Sequence, residues 1–167
     1  CTIAGTGTYL KSGANPMSVG WGNGATVAMS SGGLIHIAAG TMRLEYGVRT
    51  QWGPNKGDML IDAGATFDLW DNHINDGTYP NPGVFVDALN GEGAITRTHG
   101  VTGNLTVGVD DGDGVFSGSI SSAPGVTNLI KVGAGTQTLA GANSHTGNTT
   151  VNGGTLNLAS TGSLAFT

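Results

Sequence analysis

The sequence predicts an all-β fold: a parallel β-solenoid of about seven stacked coils, filling residues 1–167 as one domain. Two observations carry that expectation, the composition and a strand–glycine–strand phrase that returns along the chain. Of the 167 residues 31 are glycine, and only 10% are charged. A helical bundle needs Glu, Lys and Arg on its wet faces, so this balance excludes one. Ordinary disorder is excluded as well, because apolar residues recur regularly and the net charge is only −5. Glycine shows no period of three, which removes collagen.

The phrase is clearest in Ile37-Ala38-Ala39-Gly40-Thr41-Met42-Arg43-Leu44 and in Val151-Asn152-Gly153-Gly154-Thr155-Leu156-Asn157-Leu158. Residues Ile61 to Leu69 repeat it with one residue inserted. Each reads as two short alternating strands joined by a glycine corner, where positive φ or close backbone approach is required. Fainter echoes lie at Val86 to Ile95, Leu105 to Val109, Val115 to Ile120 and Leu129 to Leu139. Together they recur every ~20–25 residues, the length of a solenoid coil. Alternation turns Ile37, Met42, Leu44, Ile61, Phe67, Leu69, Val151, Leu156 and Leu158 inward, and Arg43, Asp68 and Asn157 outward. Each buried aliphatic or aromatic side chain contributes roughly 1.5–3 kcal/mol. The open ends are the weak points, and Trp21, in a glycine-rich stretch, is expected to cover the first of them.

The run from Lys131 through Val132-Gly133-Ala134-Gly135-Thr136-Gln137-Thr138-Leu139 to Asn143, continuing from Thr146 to Leu156, resembles the autotransporter-associated β-strand repeat of bacterial surface and secreted proteins. The clearest match spans 129–158, and GATFDL and GVFSGSI upstream look like its degenerate neighbours. The resemblance implies a right-handed parallel β-helix exported from a Gram-negative-type bacterium. Such repeats occur in adhesin stalks and beside polysaccharide-degrading domains, so the resemblance leaves function open.

The segment from Leu44 to Val86 departs most from the repeat and gathers Tyr46, Trp52, Trp70 and Tyr79 among charged residues. Stacking its two phrases sets Arg43 beside Asp68 and Glu45 beside Trp70 on an outer face. An exposed indole flanked by carboxylates and a guanidinium suits a sugar ring, whose C–H face packs on the aromatic while the charged groups take hydroxyls. Trp70, Asp68, Arg43, Glu45, Trp52 and Tyr79 are therefore the candidate carbohydrate-binding residues. The competing reading buries each aromatic under its own loop, and for Trp52 and Tyr79 it is the simpler one. The sugar-binding reading makes the chain a non-catalytic module, linked covalently to a secreted catalytic domain and binding a plant cell-wall β-glycan such as xylan. Its alternative is a passenger or stalk segment of an autotransporter-like adhesin. Either is secreted or at the cell surface.

Other chemistry is thinner. Asp110, Asp111 and Asp113 surround glycines in a way that has some calcium-site character, but a solvated turn accounts for them as well. Asp68 with Asp71, or Asp76 with Asp87, are carboxylate pairs for glycoside hydrolysis on sequence alone, yet no cleft-forming length or nucleophile motif accompanies them, so no enzyme is expected. His36 reads as a surface residue and His145 as a structural one; His73 and His99 have no ligand spacing. Eleven acidic against six basic residues leave no basic stripe for nucleic acid. No apolar run is long enough for membrane insertion. No signal peptide is visible and Cys1 is the lone cysteine, which fits a mature protein or an excised module, with a lipid anchor as the other explanation of Cys1.

Overall fold

The computed structural model describes residues 2–19, 26–44, 52, 55–70 and 83–164, and every regular element among them is a β-strand. The strands stack as seven coils with three walls. The first wall holds β1 (Thr2–Gly5), β4 (Thr26–Met29), β9 (Val84–Val86), β12 (Thr102–Val107), β15 (Val126–Lys131) and β18 (Thr149–Val151). The second holds β2 (Thr8–Lys11), β5 (Leu34–Ile37), β7 (Asp58–Ile61), β10 (Leu89–Gly91), β13 (Gly114–Phe116), β16 (Thr136–Leu139) and β19 (Thr155–Leu158). The third holds β3 (Met17–Val19), β6 (Thr41–Leu44), β8 (Thr66–Asp68), β11 (Ala94–Thr96), β14 (Ser119–Ile120), β17 (Ala142–Asn143) and β20 (Ser163–Leu164).

All strand pairings are parallel, each joining one coil to the next, and the second wall is an unbroken seven-stranded sheet. One column of paired residues runs Lys11, Ile37, Ile61, Gly91, Phe116, Leu139, Leu158. Down that column the coil length varies from 30 residues (Ile61 to Gly91) to 19 (Leu139 to Leu158). The expected spacing therefore holds except in the longest coil, which contains residues 71–82.

Alternation decides the core. Ile37, Met42, Ile61, Phe67 and Leu69 are fully buried and Leu44 nearly so, in one continuous apolar column with Val27, Ile35, Met59, Val86, Leu105 and Leu129. The corner glycines of the three repeated phrases, Gly40, Gly64 and Gly154, have φ of +69°, +79° and +61°, the conformation that a side chain resists. A second glycine column, Gly93, Gly118 and Gly141, serves close approach: a Cβ at Gly118 would lie 1.8 Å from the Gly93 carbonyl oxygen.

At the last coil two residues lie on the inner side as expected but are not buried. Val151 is 50% and Leu158 41% exposed, because among the described residues nothing stacks on that coil. The expected outward position of Asp68 also needs correction: its side chain leaves the core wall, yet only 1% of the residue is exposed. The third-wall surface there is covered by its neighbours, described below. Trp21 and Cys1 lie outside the described residues.

Candidate functional site

Register builds the outer face of the third wall. Arg43 on β6 pairs with Asp68 on β8, as stacking of the two phrases predicts. The Arg43 guanidinium donates through Nε to Asp68 Oδ2 at 3.0 Å. Asp68 also accepts from three donors that follow it. Its Oδ1 takes the Trp70 backbone N–H at 3.0 Å and the Thr98 N–H at 3.2 Å, and its Oδ2 takes the Thr98 hydroxyl at 2.6 Å. A carboxylate with four donors is fully engaged, and that is why an outward residue is buried.

Trp70 stands just past β8 with φ of +29°, an uncommon conformation for a bulky side chain. Its neighbours over-determine it. Asp68 holds its N–H, and Arg97 Nη1 donates to its carbonyl at 3.3 Å. Its ring stands in coil order between Arg43, whose guanidinium carbon is 4.6 Å from the ring centroid, and His99, stacked at 5.4 Å and 25°. Trp70 is half-buried as a residue, its Nε1 is buried without a hydrogen-bond partner among the described residues, and its ring is shared with a cation and an imidazole of the same chain.

The remaining candidates separate. Trp52 is fully buried and tilted against Phe67 at 5.5 Å, so it is a core side chain and not part of an outer platform. Glu45 and Tyr79 lie outside the described residues, as do Tyr46, Asp71, His73 and Asp76.

Arg97 and Thr98 are the residues that sequence reasoning missed. Arg97 is fully buried, donates through Nε to Thr127 Oγ1 at 3.1 Å, and occupies space that a Cβ at Gly125 would take, 2.6 Å from its Cγ and Cδ. The signal was available: extending the Ala94-Ile95-Thr96 alternation by one residue puts Arg97 on the same side as Ile95.

The acidic string forms a different device at the corner between the first and second walls. Asp111 Oδ1 accepts the Ala134 N–H at 2.6 Å, and Asp113 Oδ1 accepts the Thr136 N–H at 2.5 Å, each from the following coil. Asp87 does the same one coil earlier, taking Asp110 and Gly112 N–H at 2.7 and 2.8 Å. Asp110 instead pairs with Lys56 at 2.5 Å; the hydrogen bond from Lys56, then that from Ser31, pulls its carboxyl below the ordinary range and the pairing lifts Lys56. The carboxylates thus stitch coil to coil. Among the described residues no three His, Cys, Asp or Glu side chains converge to hold a metal ion.

The geometry defines a class of molecule, a parallel β-solenoid in which Arg43, Asp68, Asp87, Arg97, Asp111 and Asp113 bond to groups of its own coils. Comparison with known proteins gives the rest. Residues 129–158 match the passenger-associated-transport-repeat family, so the chain carries an autotransporter-associated β-strand repeat. The chain is 32% identical over 160 residues, 92% of its length, to the adhesin BmaC autotransporter of Brucella suis biovar 1 (strain 1330). It spans only 4% of the length of that adhesin. No solved structure matches the chain. The repeat and the adhesin relative mark the chain as secreted or cell-surface.

Proposed function

We propose that this chain is a passenger segment of an autotransporter-type surface adhesin, with a structural and non-catalytic role as a rigid spacer. The observation that carries this reading is similarity along 92% of the chain to an autotransporter adhesin. The architecture supports it. Seven coils at about 4.8 Å each give six steps and a rise of roughly 29 Å from 167 residues, held by parallel ladders throughout. The interior depends on every coil, as a spacer requires.

The plant β-glycan reading depends on an open indole face. Arg43 and His99 share the Trp70 ring, and Asp68 has no oxygen left over for a sugar hydroxyl, so the spacer reading leads. The chain fused ahead of a translocator barrel, with an epitope at its free end, should carry the epitope to the cell surface in a protease-resistant form. Affinity electrophoresis in xylan, mixed-linkage glucan, mannan and pectin gels should show no retardation. Failed export, together with glycan retardation abolished by Trp70→Ala, would sink the spacer reading and restore the binding module.

A further inference from the structure

We propose that the seam between the fourth coil (β9, β10, β11) and the fifth (β12, β13, β14) is a hinge that opens along the second wall, with Gln137 as the latch that holds it shut. Three observations meet at this seam, in the middle of the stack. The first is a thin ladder. On the second wall β5 pairs with β7 along Leu34 to Ile37, and β13 with β16 along Gly114 to Phe116. Between β10 and β13 only Gly91 and Phe116 pair. Across the same seam the first wall keeps Val84 to Val86 against Leu105 to Val107.

The second observation is an interrupted core. The two in-facing columns of the second wall run Met59, Leu89, Gly114, Gln137 and Ile61, Gly91, Phe116, Leu139. Each column meets a glycine at the seam, so neither stacks one apolar side chain on the next across it. A glycine inside a strand brings no side-chain burial and weakens the pairing. Third, side chains stand in for the missing rungs. Asn90 Oδ1 accepts the Val115 N–H at 3.0 Å, and Gln137, from the sixth coil, holds both backbone groups of Leu89. One rotation of that side chain releases both groups at once, whereas a backbone ladder has to come apart rung by rung. Asp87 meanwhile keeps the Asp110 and Gly112 N–H groups at the corner between the first and second walls, which fixes the axis there. Segments that open locally are those with few buried apolar contacts. The hinge belongs to the solenoid itself and stands whether the chain is a spacer or a binding module.

Amide hydrogen exchange of the purified chain, resolved by residue, tests both parts. Leu89 and Val115 should exchange about tenfold or more faster than amides of the β5–β7 ladder. Their rates should also rise less steeply with urea, because a local opening exposes less surface than global unfolding. Gln137→Leu should raise both rates about tenfold further and keep the shallow urea dependence. In a Cys1→Ser background, Glu92→Cys with Ser117→Cys sets two thiols side by side across the seam, one position beyond Gly91 and Phe116. Their disulfide should slow Leu89 and Val115 to the rates of the β5–β7 ladder. Seam amides as slow as that ladder in the parent chain overturn the hinge, as does fast exchange that survives the disulfide. Unchanged rates in Gln137→Leu, or a urea dependence as steep as that of global unfolding, overturn the latch.

Discussion

Gln137 holds both backbone groups of Leu89, 48 residues earlier and two coils away: its Nε2 donates to the Leu89 carbonyl at 2.9 Å and its Oε1 accepts the Leu89 N–H at 3.1 Å. Between them lies β13, where Gly114 leaves the passage open; a Cβ there would lie 2.5 Å from Gln137 Oε1. The side chain completes a ladder that β10 and β13 make at one residue pair only, Gly91 with Phe116. Gln137→Leu keeps the volume and orphans two buried backbone groups, each worth about 1–3 kcal/mol. The variant should lose about 2–4 kcal/mol in urea unfolding, while outward-facing Thr138→Val stays within about 0.5 kcal/mol. Equal midpoints for Gln137→Leu and the parent chain would show that Leu89 finds other partners.

Asn55 makes a second bridge of this kind where, among the described residues, the first wall has no strand in the third coil. Its Oδ1 accepts the Met29 N–H at 2.9 Å and its Nδ2 donates to the Phe85 carbonyl at 2.6 Å, joining β4 to β9 across the gap. Asn55→Asp keeps the acceptor and removes the donor, leaving a carboxylate oxygen against a carbonyl in a residue that is 1% exposed. Thermal unfolding should show Asn55→Asp more destabilised than Asn55→Ala, by about 1 kcal/mol or more, because like partial charges then meet in a buried site. The reverse order would mean that the Phe85 bond carries no weight.

Arg43 and Asp68 form one ion pair with unequal partners. Asp68→Ala strips four donors of their acceptor, and should cost about 2–4 kcal/mol. Arg43→Ala removes one partner whose side chain is 31% exposed, plus its contact with the Trp70 ring, and should cost about 1 kcal/mol. Denaturant midpoints separate the two, and equal losses would show that the pair, and not the backbone donors, holds the carboxylate.

The fold was legible because its signals are local and repeated. Alternation at Met42–Leu44 and Phe67–Leu69 set the in-facing residues, and the phrase spacing brought Arg43 onto Asp68. Alternation reports only which side of a strand a residue leaves from. It is silent on what then covers that side, so Asp68 and Trp70 looked exposed although Arg43, Thr98 and His99 occupy their surroundings. Alternation puts Gln137 on the inner side with Leu139 but does not show that it reaches across two coils, and Asn55, outside any strand, has no periodic signal. Val151 and Leu158 followed the pattern and still ended exposed, because burial in a solenoid depends on the next coil.

His145 gives the stability a pH dependence whose sign is set by its burial. It is 1% exposed, its Nε2 bonds the Thr149 hydroxyl at 2.9 Å, and its Nδ1 has no partner among the described residues. Desolvation lowers its folded pKa below the ordinary imidazole value of about 6.5. A base with a depressed folded pKa leaves the unfolded chain binding more protons, so stability is complete above about pH 6.5 and falls as the pH drops below it. Urea midpoints should therefore decline from about pH 7.5 to about pH 5. His145→Phe fills the same buried position without a titrating group, and its profile over that window should be flatter by the contribution of this one residue. A Phe variant that keeps the full slope would show that His145 does not carry the acid sensitivity.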